Sequence, residues 1–204
     1  MLMVAAANVV AADPAAIAKA AESNARRVLE AHAVFDRARR EAPPETVVAV
    51  LVSFSVRLTP AEVARYLERC ECTVYQGYVS VDEVKWAIGL DRELLARPDS
   101  EMFLAREFVE KQIPLAPWEN EDPSSLPEPT RSFEVARKVA IESVMAKARS
   151  GHLALDGILL KGPFSEMVRL RDRMGSHVLA MEFVARQIPF AIPLDLYRPT
   201  AAPR

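Results

Sequence analysis

The segment VVAVLVSFSV at residues 47–56 is the feature that most constrains the fold. Its β-branched and apolar residues form a nearly continuous run, which is typical of a central strand covered on both faces. A helix start follows at once, because Thr59 can cap a helix, Pro60 suits its first position and Glu62 completes a capping box. The segment TVYQGYVSV at 73–81 then predicts a second strand. This part of the chain is therefore expected to form a β-α-β unit.

An internal repeat is the second strong feature. The sequence LAREFVEKQIPLA at 104–116 is matched by LAMEFVARQIPFA at 179–191, with nine of thirteen positions identical at an offset of 75 residues. Helical spacing favours a helix in the first copy, whereas the second copy fits a strand as well as a helix. Two architectures stay open: tandem duplicates at 47–117 and 133–191, or one split domain. We favour the split domain, because the strong first strand has no equivalent in the second half. Matching conformations of the two copies would instead support duplication.

The favoured architecture belongs to the α+β class. It is a ferredoxin-like split β-α-β sandwich with a helical insertion and a long N-terminal helix. Its predicted boundaries are an apolar segment and long helix at 1–44, a single α+β domain at 45–195 and an extended tail at 196–204. Within the domain, β-α-β units at 47–81 and 152–185 flank a helical insertion with a Pro-rich linker at 92–150.

The long helix is predicted at residues 14–42, where apolar and small residues recur at spacings of three and four. These positions are Ile17, Ala21, Asn24, Val28, Ala31, Phe35, Ala38 and Ala42. The alanine-rich seam favours close packing. We expect it to pack on the protein's own core, and a homodimer through this helix is the alternative.

Charge and hydropathy limit the classes of function. The chain has 26 Lys and Arg against 28 Asp and Glu, so it lacks the basic footprint of a dedicated nucleic-acid binder. The apolar stretch at residues 2–12 is too short to span a bilayer and lacks the basic region that opens a secretory signal. We therefore predict no nucleic acid as partner and no membrane span within this chain. A cytoplasmic and a cell-envelope location both stay open.

The chain has two cysteines, Cys70 and Cys72. Residues two apart rarely meet disulfide geometry, so two ordinary thiols near a helix end are the expectation. A redox switch, or a thiolate pair for a soft metal, is the alternative. A metal site would need two further ligands, and none lies nearby in the sequence.

The histidines offer weaker candidates. Pairing Cys70 with His177, or Cys72 with His152, could give an activated thiolate, although nothing in the spacing favours either pair. His32 lies among alanines on the long helix and is expected to be structural or solvated.

Two repeat carboxylates, Glu107 and Glu182, suggest a two-carboxylate mechanism. In each copy, however, the Glu lies opposite Leu and Phe, which favours a solvated or salt-bridged position. Six glycines and the lack of a phosphate-binding loop argue against a nucleotide cradle. The sequence therefore predicts no catalytic, cofactor-binding or metal-binding residue.

The order of elements resembles the propeptide and inhibitor modules of subtilisin-like proteases. The matching pieces are VAVLVSFSVRLTPAEVARYLE (48–68), TVYQGYVSV (73–81), LDGILLKGPFSEMVRLRDR (155–173) and HVLAMEF (177–183). The resemblance lies in the pattern of apolar positions and covers about a third of the chain. It implies a ferredoxin-like fold and a protein-binding role, whereas residues 82–151 have no counterpart in that family.

These observations predict a non-enzymatic binding or regulatory module of bacterial type that acts through protein–protein contacts. The alternatives are a small enzyme with a cleft between the β-α-β halves, and the extracytoplasmic part of a membrane-anchored envelope protein. The repeat consists mostly of packing positions, and it forms a docking surface only if its apolar face is exposed. The candidate contact residues are Leu104, Phe108, Ile113, Leu179, Phe183 and Ile188.

Overall fold

A computed structural model of the chain describes residues 14–81, 84–112, 127–128 and 130–184. The helices of this part are α1 (Pro14–Glu41), α2 (Pro60–Leu67), α3 (Arg92–Ala96), α4 (Ser100–Gln112), α5 (Thr130–Arg149) and α6 (Phe164–Met174), followed by a 3-10 turn (Gly175–His177). The strands are β1 (Val47–Leu58), β2 (Thr73–Val81), β3 (Val84–Gly89), β4 (Leu155–Pro163) and β5 (Val178–Phe183).

These strands form one antiparallel sheet in the order β3-β2-β4-β1-β5. β4 lies between β1 and β2 and is antiparallel to both, so β1 and β2 run parallel to each other. In the same way, β1 separates the parallel strands β4 and β5. The two units β1-α2-β2 and β4-α6-β5 therefore interleave in one sheet. The fold is of the predicted α+β class, with the predicted long N-terminal helix.

The two copies of the repeat adopt different conformations. The first copy, up to Gln112, lies in α4, where Leu104 and Phe108 are four residues apart on one buried face. Residues 179–183 of the second copy lie in β5 and pair with β1. Similar sequences are helix in one place and strand in the other because their surroundings differ. This difference favours the split domain over tandem duplicates.

The start of α2 follows directly from its sequence. The Oγ1 atom of Thr59 accepts a hydrogen bond from the N–H of Glu62 at 3.3 Å. In return, Glu62 Oε2 accepts one from the N–H of Thr59 at 2.8 Å, so the predicted capping box is confirmed. The backbone hydrogen bond from Thr59 is the main reason that the pKa of Glu62 lies below its usual value.

The larger hydrophobic core of the described residues lies between the sheet and helices α2 to α6 and also includes Phe35 of α1. β1 contributes Val50, Val52 and Phe54, which alternate along the strand and therefore face the same way. Buried side chains from every one of these helices complete the core, among them Leu67, Leu95, Leu104, Val144 and Leu170. The helical insertion thus packs into the same core as α2 and α6.

Helix α1 packs along β5, at one edge of the sheet. The buried ring of Phe35 lies 5.3 Å from the ring of Phe164 and 5.9 Å from that of Phe183, measured between centroids. The Nε2 atom of His32 lies 2.7 Å from the carbonyl oxygen of Leu179. From Val28 to Ala42 the apolar seam of α1 therefore packs inside the chain, as expected, whereas Ala21 is exposed.

Candidate functional site

The structure joins Cys70 and Cys72 in a disulfide, so the prediction of two ordinary thiols is wrong. The N–H of Cys70 donates to the carbonyl oxygen of Leu67 at 3.0 Å, which turns the chain at the end of α2. The two cysteine Cα atoms lie 5.3 Å apart, within the range that a disulfide needs. Spacing along the sequence could not show this, because the local turn sets the distance. Residues 70–72 are called the disulfide loop below.

Arg92, the first residue of α3, holds the disulfide loop from one side. Its Nη2 atom donates to the carbonyl oxygens of Cys70 and Cys72, the latter at 3.0 Å. The same atom lies 3.7 Å from the sulfur of Cys72. Asp91 caps α3 by accepting a hydrogen bond from the N–H of Leu94 at 2.7 Å, which fixes the start of the helix. A guanidinium group therefore lies beside one sulfur and connects α3 to the loop.

Glu166 and Gly162 hold the loop from the other side. The carboxylate of Glu166, on α6, is buried and accepts hydrogen bonds from the N–H of Glu71 at 3.2 Å and from Arg169. A Cβ atom added to Gly162 of β4 would lie 2.9 Å from the carbonyl oxygen of Glu71 and 3.1 Å from the Cα of Cys72. Glycine therefore permits the close approach of β4 to the loop.

The two cysteine residues differ in their exposure to solvent. Cys70 is 2% exposed, whereas Cys72 is half-buried. The loop-entropy relation gives a three-residue disulfide loop only about 1.6 kcal/mol of stabilisation, against about 3 kcal/mol for a fifteen-residue loop. The disulfide therefore adds little stability, and its redox chemistry is the reason to consider the disulfide loop a functional site.

Sequence reasoning does not identify Arg92 or Glu166 as part of this site. Each is distant from the cysteines along the chain and reaches them only through the packing of α3 and α6. The Asp91 cap indicates where α3 begins, but no sequence signal shows what its first residue contacts.

The Cys–His pairs considered from the sequence are not formed among the described residues. Instead, His177 Nδ1 lies 2.6 Å from the hydroxyl of Tyr66. His152 is exposed, and its Nδ1 atom lies 3.0 Å from Ser150 Oγ. Both rings therefore have hydrogen-bond partners other than a cysteine.

The two repeat carboxylates lie on separate elements. Glu182 on β5 forms an ion pair with Arg27 of α1 at 2.7 Å, which is the salt-bridged position expected for it. Glu107 lies on α4 in the insertion and is half-buried. The described residues therefore show Glu182 as part of the contact between α1 and the sheet.

The candidate contact residues are largely used for internal packing. Leu104 and Phe108 are buried in the core, so they do not form the exposed apolar face that a docking surface requires. Leu179 and Phe183 are half-buried beneath α1. The remaining candidates, outside the described residues, are Ile113 and Ile188.

A groove of about 240 Å³ lies between α4 and α5. It is called the insertion groove, and it is lined by Arg106, Val109, Glu110, Ile141 and Met145. Its floor is apolar and half-buried, while the two charged side chains are exposed. The groove therefore combines an apolar surface with charges of both signs.

A second hollow, of about 380 Å³, lies between the end of α1 and the start of α6. Its two arginines are already paired: Arg39 with Asp172 at 3.2 Å, and Arg169 with Glu166 at 2.5 Å. These ion pairs compensate the positive charge that would otherwise attract an anion.

Comparisons with protein-family models, with curated proteins and with solved structures find no match to this chain. Among the described residues, no cluster of His, Cys, Asp or Glu is placed to hold a metal ion. In the same part of the chain, no helix is both long and apolar enough to cross a membrane. The disulfide loop and the insertion groove are thus the two features from which a function can be inferred.

Proposed function

We propose that the protein is a non-enzymatic regulatory module that acts through protein–protein contacts, and that the redox state of Cys70 and Cys72 controls its contact surface. The hydrogen bonds from Arg92 to the disulfide loop carry this proposal. They link the disulfide bond, which a reductant can break, to α3, the first helix of the insertion. A thiol–disulfide change acts as a switch when it biases an element that has two arrangements.

Helix α3 transmits the constraint to the rest of the insertion. Leu95 of α3 is fully buried, so the helix cannot move without affecting the core. α4 begins directly after α3, where the N–H of Ser100 donates to the carbonyl oxygen of Arg97 at 3.1 Å. Glu101 of α4 in turn accepts a hydrogen bond from the N–H of Leu153, just before β4, at 2.8 Å. Loss of the Arg92 contacts would therefore lower the local stability of α3 and α4.

The insertion groove is the surface that we assign to the partner. Val109, Ile141 and Met145 offer an apolar floor, and Arg106 and Glu110 lie one helical turn apart beside it. An amphipathic helix of another protein fits this chemistry. Its apolar side chains would cover the floor, and an acidic and a basic side chain would pair with Arg106 and Glu110.

We further classify the sheet as ferredoxin-like, because each β-α-β unit is split by a strand of the other. This arrangement supports the resemblance to propeptide and inhibitor modules of subtilisin-like proteases, which implies protein binding. Fold alone does not determine function, so the proposal depends on the disulfide loop and the groove.

Hydrogen exchange of the folded protein, measured by mass spectrometry before and after reduction with a dithiol, tests the proposal. We expect peptides from α3 and α4 to exchange faster after reduction, while β1 and β4 keep their protection. The double variant Cys70→Ser, Cys72→Ser is the control, because the reductant should leave its exchange unchanged. Equal exchange of α3 and α4 in the oxidised and reduced wild type would contradict the proposal.

A further inference from the structure

We propose that the disulfide loop exchanges with external alkyl thiols through Cys72, and that Arg92 stabilises the Cys72 thiolate that this exchange produces. This inference rests on the proposed function and adds the reacting sulfur, the reaction and the class of reactant. It follows from the different access of the two cysteines and from the position of one guanidinium group.

Access determines which sulfur reacts first. In thiol–disulfide exchange, a thiolate must reach one sulfur of the disulfide and displace the other. Cys70 is almost completely buried in the core, whereas Cys72, directly before β2, is half-buried. An incoming thiolate therefore attacks Cys72.

The reaction then proceeds in two balanced steps. The external thiolate forms a bond to the sulfur of Cys72, the bond between the two cysteines breaks, and its electron pair leaves on Cys70, which takes a proton from water. A second external thiolate attacks the external sulfur of this mixed disulfide. The Cys72 thiolate leaves, and the two external thiols depart as their disulfide. Two electrons pass to the protein, and two thiols of the reactant are oxidised.

Arg92 acts on the second step and on its reverse. The lower the basicity of the leaving thiolate, the faster it departs, and a neighbouring positive charge lowers that basicity. The Arg92 Nη2 atom lies 3.7 Å from the Cys72 sulfur. During reoxidation, the same contact keeps Cys72 as the thiolate that attacks an external disulfide. Arg92 is thus a positioning residue for Cys72.

The charges around the loop are of both signs. Those near it include Glu71, Arg92, Lys161, Glu166 and Arg169. Arg173 of α6 also donates to the carbonyl oxygen of Arg69, directly before the loop, at 3.3 Å. The carboxylate of Glu166 is occupied by the N–H of Glu71 and by Arg169, which compensates its charge. Arg92 is the charged group placed against the Cys72 sulfur itself.

Single-cysteine variants test the choice of sulfur. The Cys70→Ser variant keeps Cys72, the Cys72→Ser variant keeps Cys70, and each is mixed with an aromatic disulfide whose released thiolate is coloured. We expect the first variant to react at least about tenfold faster, because its thiol is accessible and lies beside a cation. Equal rates, or a faster reaction of the variant that keeps Cys70, would overturn the inference.

The pH dependence of the same reaction tests Arg92. In the Cys70→Ser background, Arg92→Met should raise the pH at which the rate is half-maximal by about one unit, while Arg92→Lys keeps it low because the positive charge remains. An unchanged midpoint in Arg92→Met would refute the role of Arg92. If that variant does not fold, Arg92→Gln serves instead: it removes the charge but keeps an amide donor for the loop carbonyl oxygens, so it should also raise the midpoint, and an unchanged midpoint would refute the role.

The two proposals fail separately. If Cys72 reacts as described but α3 and α4 exchange hydrogen equally in both redox states, the regulatory function is wrong and the exchange site stands. If α3 and α4 respond to reduction but Cys70 is the faster thiol, the assignment of Cys72 is wrong and the redox-dependent function stands.

Discussion

His32 and Leu179 join α1 to the outer edge of the sheet, with His32 Nε2 lying 2.7 Å from the carbonyl oxygen of Leu179. Because a carbonyl oxygen only accepts, the imidazole N–H is the donor. β5 is the last strand of the sheet on this side, and an uncovered strand edge is a template for pairing with another chain. Helix α1 therefore covers the outer edge of β5, which would otherwise be open to pairing with a strand of another chain.

We expect His32→Ala to lower the free energy of unfolding by about 1 kcal/mol, because it removes this hydrogen bond and leaves a partly buried carbonyl oxygen without its donor. The measurement is urea denaturation followed by circular dichroism. His152→Ala is the control, since that ring is exposed and should change stability by less than about 0.5 kcal/mol. Equal effects of the two substitutions would contradict the role assigned to His32.

The aromatic contact between α1 and the core should matter more. Phe35→Ala removes a ring that packs between Phe164 and Phe183 and is 1% exposed, so we expect a loss of about 3–5 kcal/mol. Val34→Ala, next to it on the same helix, changes a side chain that is 51% exposed and should cost little. Thermal unfolding of the two variants compares them directly. A small effect of Phe35→Ala would mean that α1 is not anchored to the core.

Gly162 tests the close approach of β4 to the disulfide loop. Its substitution by Ala places a Cβ atom 2.9 Å from the carbonyl oxygen of Glu71, so backbone must shift, and we expect a loss of about 1–3 kcal/mol. Gly89→Ala is the matched control in another strand, because a Cβ there meets no atom within 4 Å. Chemical denaturation of both oxidised proteins gives the comparison. Similar stabilities of the two variants would show that β4 does not constrain the loop.

The capping box predicts a specific response to pH. The pKa of Glu62 lies below its ordinary value of 4.5, mainly because its carboxylate accepts a hydrogen bond from the backbone N–H of Thr59. The unfolded chain therefore binds this proton more readily, and the stabilisation is complete above pH 4.5 and lost as pH falls through the folded pKa. The stability difference between wild type and Glu62→Gln should shrink below pH 4.5 in a series of urea titrations. Thr59→Ser, which keeps both hydrogen bonds, should behave as wild type, and a pH-independent difference would contradict the assignment.

Local signals in the sequence predicted the elements that local physics determines. The capping box at Thr59 and the apolar run of β1 each act within a few residues, so the sequence is enough to place α2 and β1 along the chain. The middle strand of the sheet is β4, however, and β1 lies between β4 and β5. The repeat is different, because its two copies share most of their residues but differ in partners. Pairing with β1 makes one copy a strand, while packing of Leu104 and Phe108 makes the other a helix.

The candidate site was less predictable for the same reason. Cys70 and Cys72 form a disulfide because a turn follows α2. Gly162 and Glu166, from other parts of the chain, contact the disulfide loop and hold it in place. Arg92 reaches the loop from α3. Contacts of this kind arise only when the elements are packed, so a single sequence holds no direct sign of them.

Redox titration of the folded protein against a dithiol–disulfide couple tests the central claim most directly. The fraction of protein with free Cys70 and Cys72 is measured by alkylation and mass spectrometry, and circular dichroism follows the fold in parallel. Structural disulfides of secreted proteins have midpoint potentials below about −300 mV, whereas exposed or labile bonds lie higher. We predict a reversible two-electron transition above about −300 mV with the secondary structure retained, because the loop is short and Cys72 is accessible. A bond that resists reduction until the protein unfolds would contradict the claim that the disulfide loop is a switch.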